Sequence, residues 1–157
     1  MQEVFPMIPG SSKPLWINGG IIIFLCALAC FLGYIAYSTR HVQFVVSGGN
    51  LQIKGDLYGR NIALDKLILD QAREVDLNQE RPLQPGIRTN GVGLPGYLSG
   101  WFKLRGGEKA LLFVTDKKHV IYLPTRAGYS LLLSVAEPPI FLAALKRAVT
   151  EVSGQNI

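Results

Sequence analysis

The sequence predicts an α+β protein: an N-terminal transmembrane helix, then an antiparallel β-barrel or sandwich of about seven strands capped by a C-terminal helix. Three observations predict it. Residues 17–37 contain no Asp, Glu, Lys or Arg. Between Val42 and Leu133, short alternating apolar segments are separated by Gly, Asn, Asp and Lys residues, the pattern of closely spaced antiparallel strands. After Pro138, apolar residues recur at helical spacing.

The chain has 157 residues, enough for one core of ordinary size. With 48% hydrophobic and 17% charged residues it is too apolar to be disordered. Residues 1–15, with Pro6, Pro9, Gly10 and Pro14, read as a short extended tail. The helix is expected over 16–38. Its 21-residue uncharged run, at ~1.5 Å per residue, covers a hydrocarbon layer of roughly 30 Å. Ten of those residues are Ile, Leu or Phe. Trp16 at one boundary and Tyr34 and Tyr37 at the other resemble interfacial aromatic belts. A cleaved signal peptide is the competing reading, and Ala27-Leu28-Ala29-Cys30 resembles a lipoprotein cleavage site with Cys30 lipidated. Against it, the apolar run continues through Phe31, Leu32, Ile35 and Ala36, past the ~7–15 residues of a signal core.

Cys26 and Cys30, one helical turn apart, are the only cysteines. They read as small apolar side chains, and the rest of the chain has no disulfide to rest on. Lys13 lies on one side of the helix, Arg40 and Lys54 on the other, a slight lean towards a cytoplasmic domain by the positive-inside rule. Thr39, Arg40 and His41 alone separate Ser38 from the alternation that begins at Val42, so the domain is expected to sit against the bilayer surface.

That domain is expected over 40–153. Val42, Phe44 and Val46 alternate with polar residues, Gly48-Gly49-Asn50 offers a permissive turn, and Leu51 and Ile53 alternate again: a hairpin. A third strand is expected at 58–62, a helical turn or loop at 65–73, and a strand around Val75 and Leu77. Strands at 101–104 and 110–115 are joined by Arg105-Gly106-Gly107-Glu108; a turn at 116–118 leads to strands at 119–123 and 129–133. Phe141, Leu142, Leu145, Val149 and Val152 form the apolar stripe of the closing helix, opposite Lys146, Arg147 and Glu151.

The stretch Arg88-Thr89-Asn90-Gly91-Val92-Gly93-Leu94-Pro95-Gly96-Tyr97, with Gly100-Trp101-Phe102, resembles the central motif of bacterial PH (pleckstrin homology-like) domain proteins. So does the stretch from Ala110 to Asp116 followed by Val120 to Thr125. The resemblance covers roughly 40–152. It implies a PH-like fold beside one or two transmembrane helices in a bacterial inner membrane, in a largely uncharacterised family. It does not fix activity.

Gly91, Gly93 and Gly96 also match G-x-G-x-x-G. A dinucleotide site needs a strand before that motif and a helix after it. No clear strand precedes here, a β-like segment follows, and Pro95 lacks the N–H that would grip phosphate. The glycines read instead as tight turns at a barrel rim, and the loop edged by Arg88, Asn90 and Tyr97 reads as a partner contact. Residues 81–126 hold eight basic side chains against two acidic ones. If the turns at 105–109 and 116–118 share one end of the barrel, Arg105, Lys109, Lys117 and Lys118, with Arg126, make a basic rim for anionic headgroups or an acidic partner.

Catalysis finds no foothold. His41 and His119 are far apart, and the domain has no cysteine, so neither a metal cluster nor a nucleophile system forms. Asp65 with Asp70, and Asp76 with Glu80, read as a solvated acidic face. No cofactor and no nucleic acid is expected; the basic residues lack a recognition helix or stacking motif. The expectation is a single-pass, membrane-anchored interaction or assembly module without enzymatic activity, acting through exposed sheet edges and the Gly-rich rim on a protein partner or its own copies. The alternatives are an anionic lipid-headgroup binder and, least favoured, a ligand-carrying or enzymatic accessory subunit.

Overall fold

The computed structural model describes residues 13–38 and 42–154. The chain forms two compact units, Met1–Tyr37 and Ser38–Ile157. Residues 1–12 of the expected tail, together with Thr39, Arg40 and His41, lie outside the described residues; Lys13, Pro14 and Leu15, expected in the extended tail, are instead the first turn of the helix. In the first unit, α1 spans Lys13–Ser38. Within it, Trp16–Tyr34 is long and apolar enough to cross a membrane. Its Ile, Leu and Phe side chains are exposed rather than packed, so as a helix it has no protein core of its own to enter.

In the second unit the expected first hairpin forms as β1 (Gln43–Ser47) and β2 (Asn50–Lys54). Gly48 and Gly49 make its two-residue loop, both at positive φ (56° and 74°), as a type I′ turn requires. The third strand, β3 (Asn61–Ala63), pairs with β2. Two 3-10 turns, Leu64–Lys66 and Leu69–Gln71, fill the expected turn region before β4 (Arg73–Val75). Then come β5 (Pro85–Leu94), β6 (Tyr97–Leu104), β7 (Lys109–Val114), β8 (Val120–Pro124) and β9 (Ser130–Ser134), and the helix α2 (Pro138–Gly154).

The strands form two sheets, β1-β2-β3 and β4-β8-β9-β7-β6-β5. They make a sandwich and not a closed barrel, with nine strands where about seven were expected. Nor is the larger sheet wholly antiparallel, because β7 and β9 pair in parallel. The reason is geometric. The turn after β7 carries the chain past one strand position to β8, and β9 returns antiparallel to β8 into the slot between them. Ser134 fastens that turn: its hydroxyl accepts from the Thr115 and Asp116 N–H groups, both at 3.2 Å, and donates to the Asp116 carbonyl at 2.8 Å.

Central strands β7 and β9 are buried on both faces, which is why Ala110–Val114 and Leu131–Leu133 read as unbroken apolar runs. One core lies on the face towards the small sheet and α2, around Leu51, Ile53, Leu111, Leu131, Phe141 and Leu145. Phe44 sits edge-on to both Phe113 and Phe141, with centroids 6.4 and 6.1 Å apart. The opposite face carries a second core around Val75, Leu77, Phe102, Leu112 and Leu132. Each such buried side chain contributes roughly 1.5–3 kcal/mol. The expected stripe of α2 packs inward at Phe141, Leu142, Leu145 and Val149. Val152, at its far end, remains 39% exposed.

Candidate functional site

The glycine-rich stretch is a strand, not a set of rim turns. It forms β5, the edge of the large sheet, paired with β6 from Pro85↔Leu104 to Leu94↔Tyr97. Two register shifts, at Gly86 and Thr89, bulge its first half. Of the four glycines in question, only Gly96 turns the chain: Pro95-Gly96 is the two-residue loop, with Gly96 at φ 76°. Gly91 and Gly100 stand opposite each other. A Cβ on Gly91 would lie 2.3 Å from the Ser99 carbonyl oxygen, and one on Gly100 would lie 2.6 Å from the Gly91 Cα and 3.2 Å from the Tyr58 ring. These glycines let two strands and an aromatic ring approach closely. The dinucleotide reading stays excluded, since β6 and not a helix follows Gly96, although a strand does contain Gly91 and Gly93.

On one face of β6, Tyr97, Ser99 and Trp101 meet the loop between β2 and β3. Asp56 accepts from the Tyr97 hydroxyl, from Ser99 Oγ at 2.8 Å and from the Tyr58 N–H at 2.9 Å. Burial, reinforced by the neighbouring Asp56 carboxylate, pushes the Tyr97 phenol well above its ordinary range. Two residues on, the Tyr58 hydroxyl donates to Asn90 Oδ1 at 3.0 Å. Two further on, Arg60 lies 4.9 Å from the Trp101 ring centre, with Lys109 at 4.5 Å and Tyr129 edge-on at 5.0 Å. The repeat Asp56, Tyr58, Arg60 thus zips the loop onto the sheet.

The other face of β6 carries a groove. Its floor is Leu98 and Phe102, and Gly93 leaves it open. A Cβ on Gly93 would meet Leu98 Cδ2 at 3.7 Å, Arg88 Nη1 at 3.8 Å and Phe102 Cζ at 3.9 Å. The Arg88 guanidinium therefore hangs over that floor. Two adjoining clefts, of about 340 and 330 Å³, share Asn78, Leu98 and Lys117. The first reaches the hairpin tip at Gly96 and the turn at Lys118; the second reaches Gly86 and Arg105.

The far wall is the strap from Asp76 to Gln84. Backbone bonds pin it at Leu77 N–H to Lys117 O (2.8 Å), Gly106 N–H to Pro82 O (2.8 Å) and Arg105 N–H to Gln84 O (2.9 Å). Asp76 accepts from the Asn78 N–H at 2.8 Å, and Arg73 grips Glu80 through two 2.6 Å bonds. That pair holds the Glu80 carboxyl below its ordinary pKa. Neither Asp76 nor Glu80 is a free member of a carboxylate pair.

The expected contact residues are therefore divided. Arg105, Lys117 and Lys118 line the two clefts, with Gly96 and Tyr97 at the mouth of the first, while Arg88 and Gly93 lie beside the Leu98 and Phe102 side chains at the groove's edge; the Tyr97 hydroxyl turns to Asp56. Asn90 belongs to the Tyr58 contact, Gly91 to the close approach of β5 and β6 at Gly100, and Lys109 to Trp101. Arg126 lies in the loop between β8 and β9, where its N–H donates to the Lys66 carbonyl at 2.8 Å. The single basic rim does not form. The turns at 105–108 and 115–119 flank β7 and so sit at its opposite ends, about 17–20 Å apart for a strand of this length. Strand β9 runs parallel to β7, so the Arg126 loop shares the Arg105 end and not the Lys117 end.

His119 precedes β8 rather than lying in a strand; its Nδ1 is 2.8 Å from Glu74 Oε1. That hydrogen bond raises the imidazole pKa. Among the described residues no group of His, Cys, Asp or Glu could hold a metal ion. Sequence reasoning missed Asn78, Gln84, Leu98 and Phe102 in the groove, and Arg60 on Trp101. The strand expected at 101–104 begins at Tyr97, so Leu98 fell outside it, and nothing in the pattern said that a strap would wall the face it shares with Phe102.

A family model described as a bacterial PH domain matches residues 42–149. No curated protein and no solved structure matches significantly.

Proposed function

Because the chain belongs to the bacterial PH domain family, we propose that it is a membrane-anchored module for protein interaction or assembly, without catalysis. The observation that carries this reading is β5. It is a ten-residue strand at the edge of the large sheet, exposed over most of its length, with Ile87 71% exposed. An edge of that kind offers unpaired backbone groups to another chain. The anchor is α1, in a bacterial inner membrane, with the domain towards the cytoplasm. The connection from Ser38 to Val42 spans at most about 14 Å of extended chain, which favours partners at the membrane surface.

The absence of catalysis is supported by how the acidic groups are used. Asp56 is engaged by Tyr97 and Ser99, Glu108 by Ser130 and Tyr122, Glu74 by His119 and Glu80 by Arg73. A second reading, headgroup binding, is favoured by the position of Lys117 and Lys118. They follow Thr115 and Asp116, which share a cleft with Val42, where the chain enters the domain.

A photo-crosslinking residue at Ile87, in the full chain in its native membrane, tests the main reading. The expected result is one defined adduct that a crosslinker at Lys146, on the exposed side of α2, does not give. Equal, diffuse labelling from both positions would refute it.

A further inference from the structure

We propose that the groove beside β5 is a docking site for an acidic, extended segment of a partner protein, which runs along β5 and delivers a carboxylate to Arg88 above the Leu98–Phe102 floor. The inference rests on the interaction reading and specifies the chemistry of the partner. Charge is the first argument. Arg88, Arg105, Lys117 and Lys118 are all exposed, and none enters an ion pair among the described residues. One carboxylate, Asp116, also lines the first cleft, where its Oδ1 accepts the Lys118 N–H at 2.9 Å, so the lining charge is a surplus of cations rather than cations alone. Four cations around a floor of leucine and phenylalanine suit a ligand both anionic and apolar.

Extent decides the kind of ligand. Leu98 pairs with Val114, beside the Lys117 turn, and Arg105 lies seven residues further along, about 23 Å at strand rise. One headgroup phosphate would engage one end of such a row. An extended chain places alternate side chains about 7 Å apart on one face, so three or four carboxylates reach from Lys117 past Arg88 to Arg105. The strand for it to follow is at hand, because the regular part of β5, Asn90–Leu94, borders the groove. The bulges at Gly86 and Thr89 shorten the edge that any strand could join, and selection falls to the charges.

Gly93 completes the case. Unlike Gly91 and Gly100 it has no close backbone neighbour, and its φ is not left-handed. A side chain there is tolerated by the strand and occupies the groove.

The test uses the full chain in neutral phosphatidylcholine nanodiscs at low salt. The probe is a fluorescent octapeptide alternating Glu and Val, read by anisotropy. Saturable binding is expected. It should weaken about tenfold or more in Gly93→Leu, in the pair Arg88→Ala/Lys117→Ala, and when Gln replaces Glu in the peptide. Should Gly93→Leu fail to keep the wild-type thermal unfolding, the surface pair carries the same test. No binding, equal binding of the Glu and Gln peptides, or unchanged affinity in the folded variants would overturn the proposal. So would loss of association with phosphatidylserine vesicles in these variants while peptide binding stays intact, which assigns the groove to lipid. An Ile87 adduct that survives the variants refutes the groove alone; lack of any adduct in the wild-type chain refutes the interaction reading beneath it.

Discussion

Replacing Asp56 with alanine releases the loop that holds the β5–β6 hairpin in place, and the cost follows from what Asp56 accepts. Tyr97 and Ser99 are 7% and 1% exposed, so water cannot freely replace the carboxylate at either hydroxyl. Hydrogen bonds to a charged group contribute roughly 1.5–3 kcal/mol each. With some relaxation of the half-buried loop, Asp56→Ala should cost about 3–5 kcal/mol. For a domain of this size that lowers Tm by about 12–25 °C. Asp56→Asn keeps an acceptor oxygen and should cost about 1–2 kcal/mol. The assay is urea unfolding of the full chain in micelles, followed by Trp101 fluorescence in a Trp16→Phe background. A double-mutant cycle with Tyr97→Phe should give a coupling of about 1–2 kcal/mol. A cost below about 1 kcal/mol, or additive single variants, would refute the claim that Asp56 fastens the loop to the sheet.

Three further predictions concern single groups. Gly91→Ala, whose Cβ would lie 2.3 Å from the Ser99 carbonyl, should destabilise by about 2 kcal/mol or more, whereas Gly93→Ala should be neutral or stabilise by up to about 1 kcal/mol; chemical denaturation of the two side by side checks the contrast. The raised His119 pKa means that its pairing with Glu74 contributes stability below the imidazole's unfolded value, and this contribution is lost as pH rises through the folded value. An NMR titration should find His119 above 6.5, and Glu74→Gln should bring it down. Tyr97 should stay protonated in an alkaline ultraviolet titration to about pH 11 while the folded state persists, and Asp56→Ala should lower its midpoint.

Much of this architecture was legible in the residues. The uncharged run gave α1, and alternation on either side of the permissive Gly48-Gly49-Asn50 gave the first hairpin, although Asn50 proves to be the first residue of β2 and the loop is Gly48-Gly49 alone. Helical spacing gave α2. The glycine-rich stretch misled, because glycine is read as turn chemistry and its use here is steric: Gly91 and Gly100 make room for each other's strand and for the Tyr58 ring. The sheet order was hidden for another reason. A strand buried on both faces, such as β9, shows no alternation, so nothing local says that it inserts beside β7. Lys109 and Lys117 already lie at opposite ends of β7, and that insertion brings Arg126 to the Lys109 end, so the rim inferred from linear charge density dissolves. What replaces it depends on the strap from Asp76 to Gln84, whose contacts with Lys117, Arg105 and Gly106 are long-range and leave no periodic signature.

The central claim is that β5 and its groove form the contact face of a membrane-anchored module. The most direct test is photo-crosslinking from Ile87 in native membranes, with Gly93 intact and with Gly93→Leu. The account predicts a defined protein adduct in the first case and its loss in the second, with the amount of membrane-inserted protein unchanged. An adduct of the same size and yield in both would contradict it.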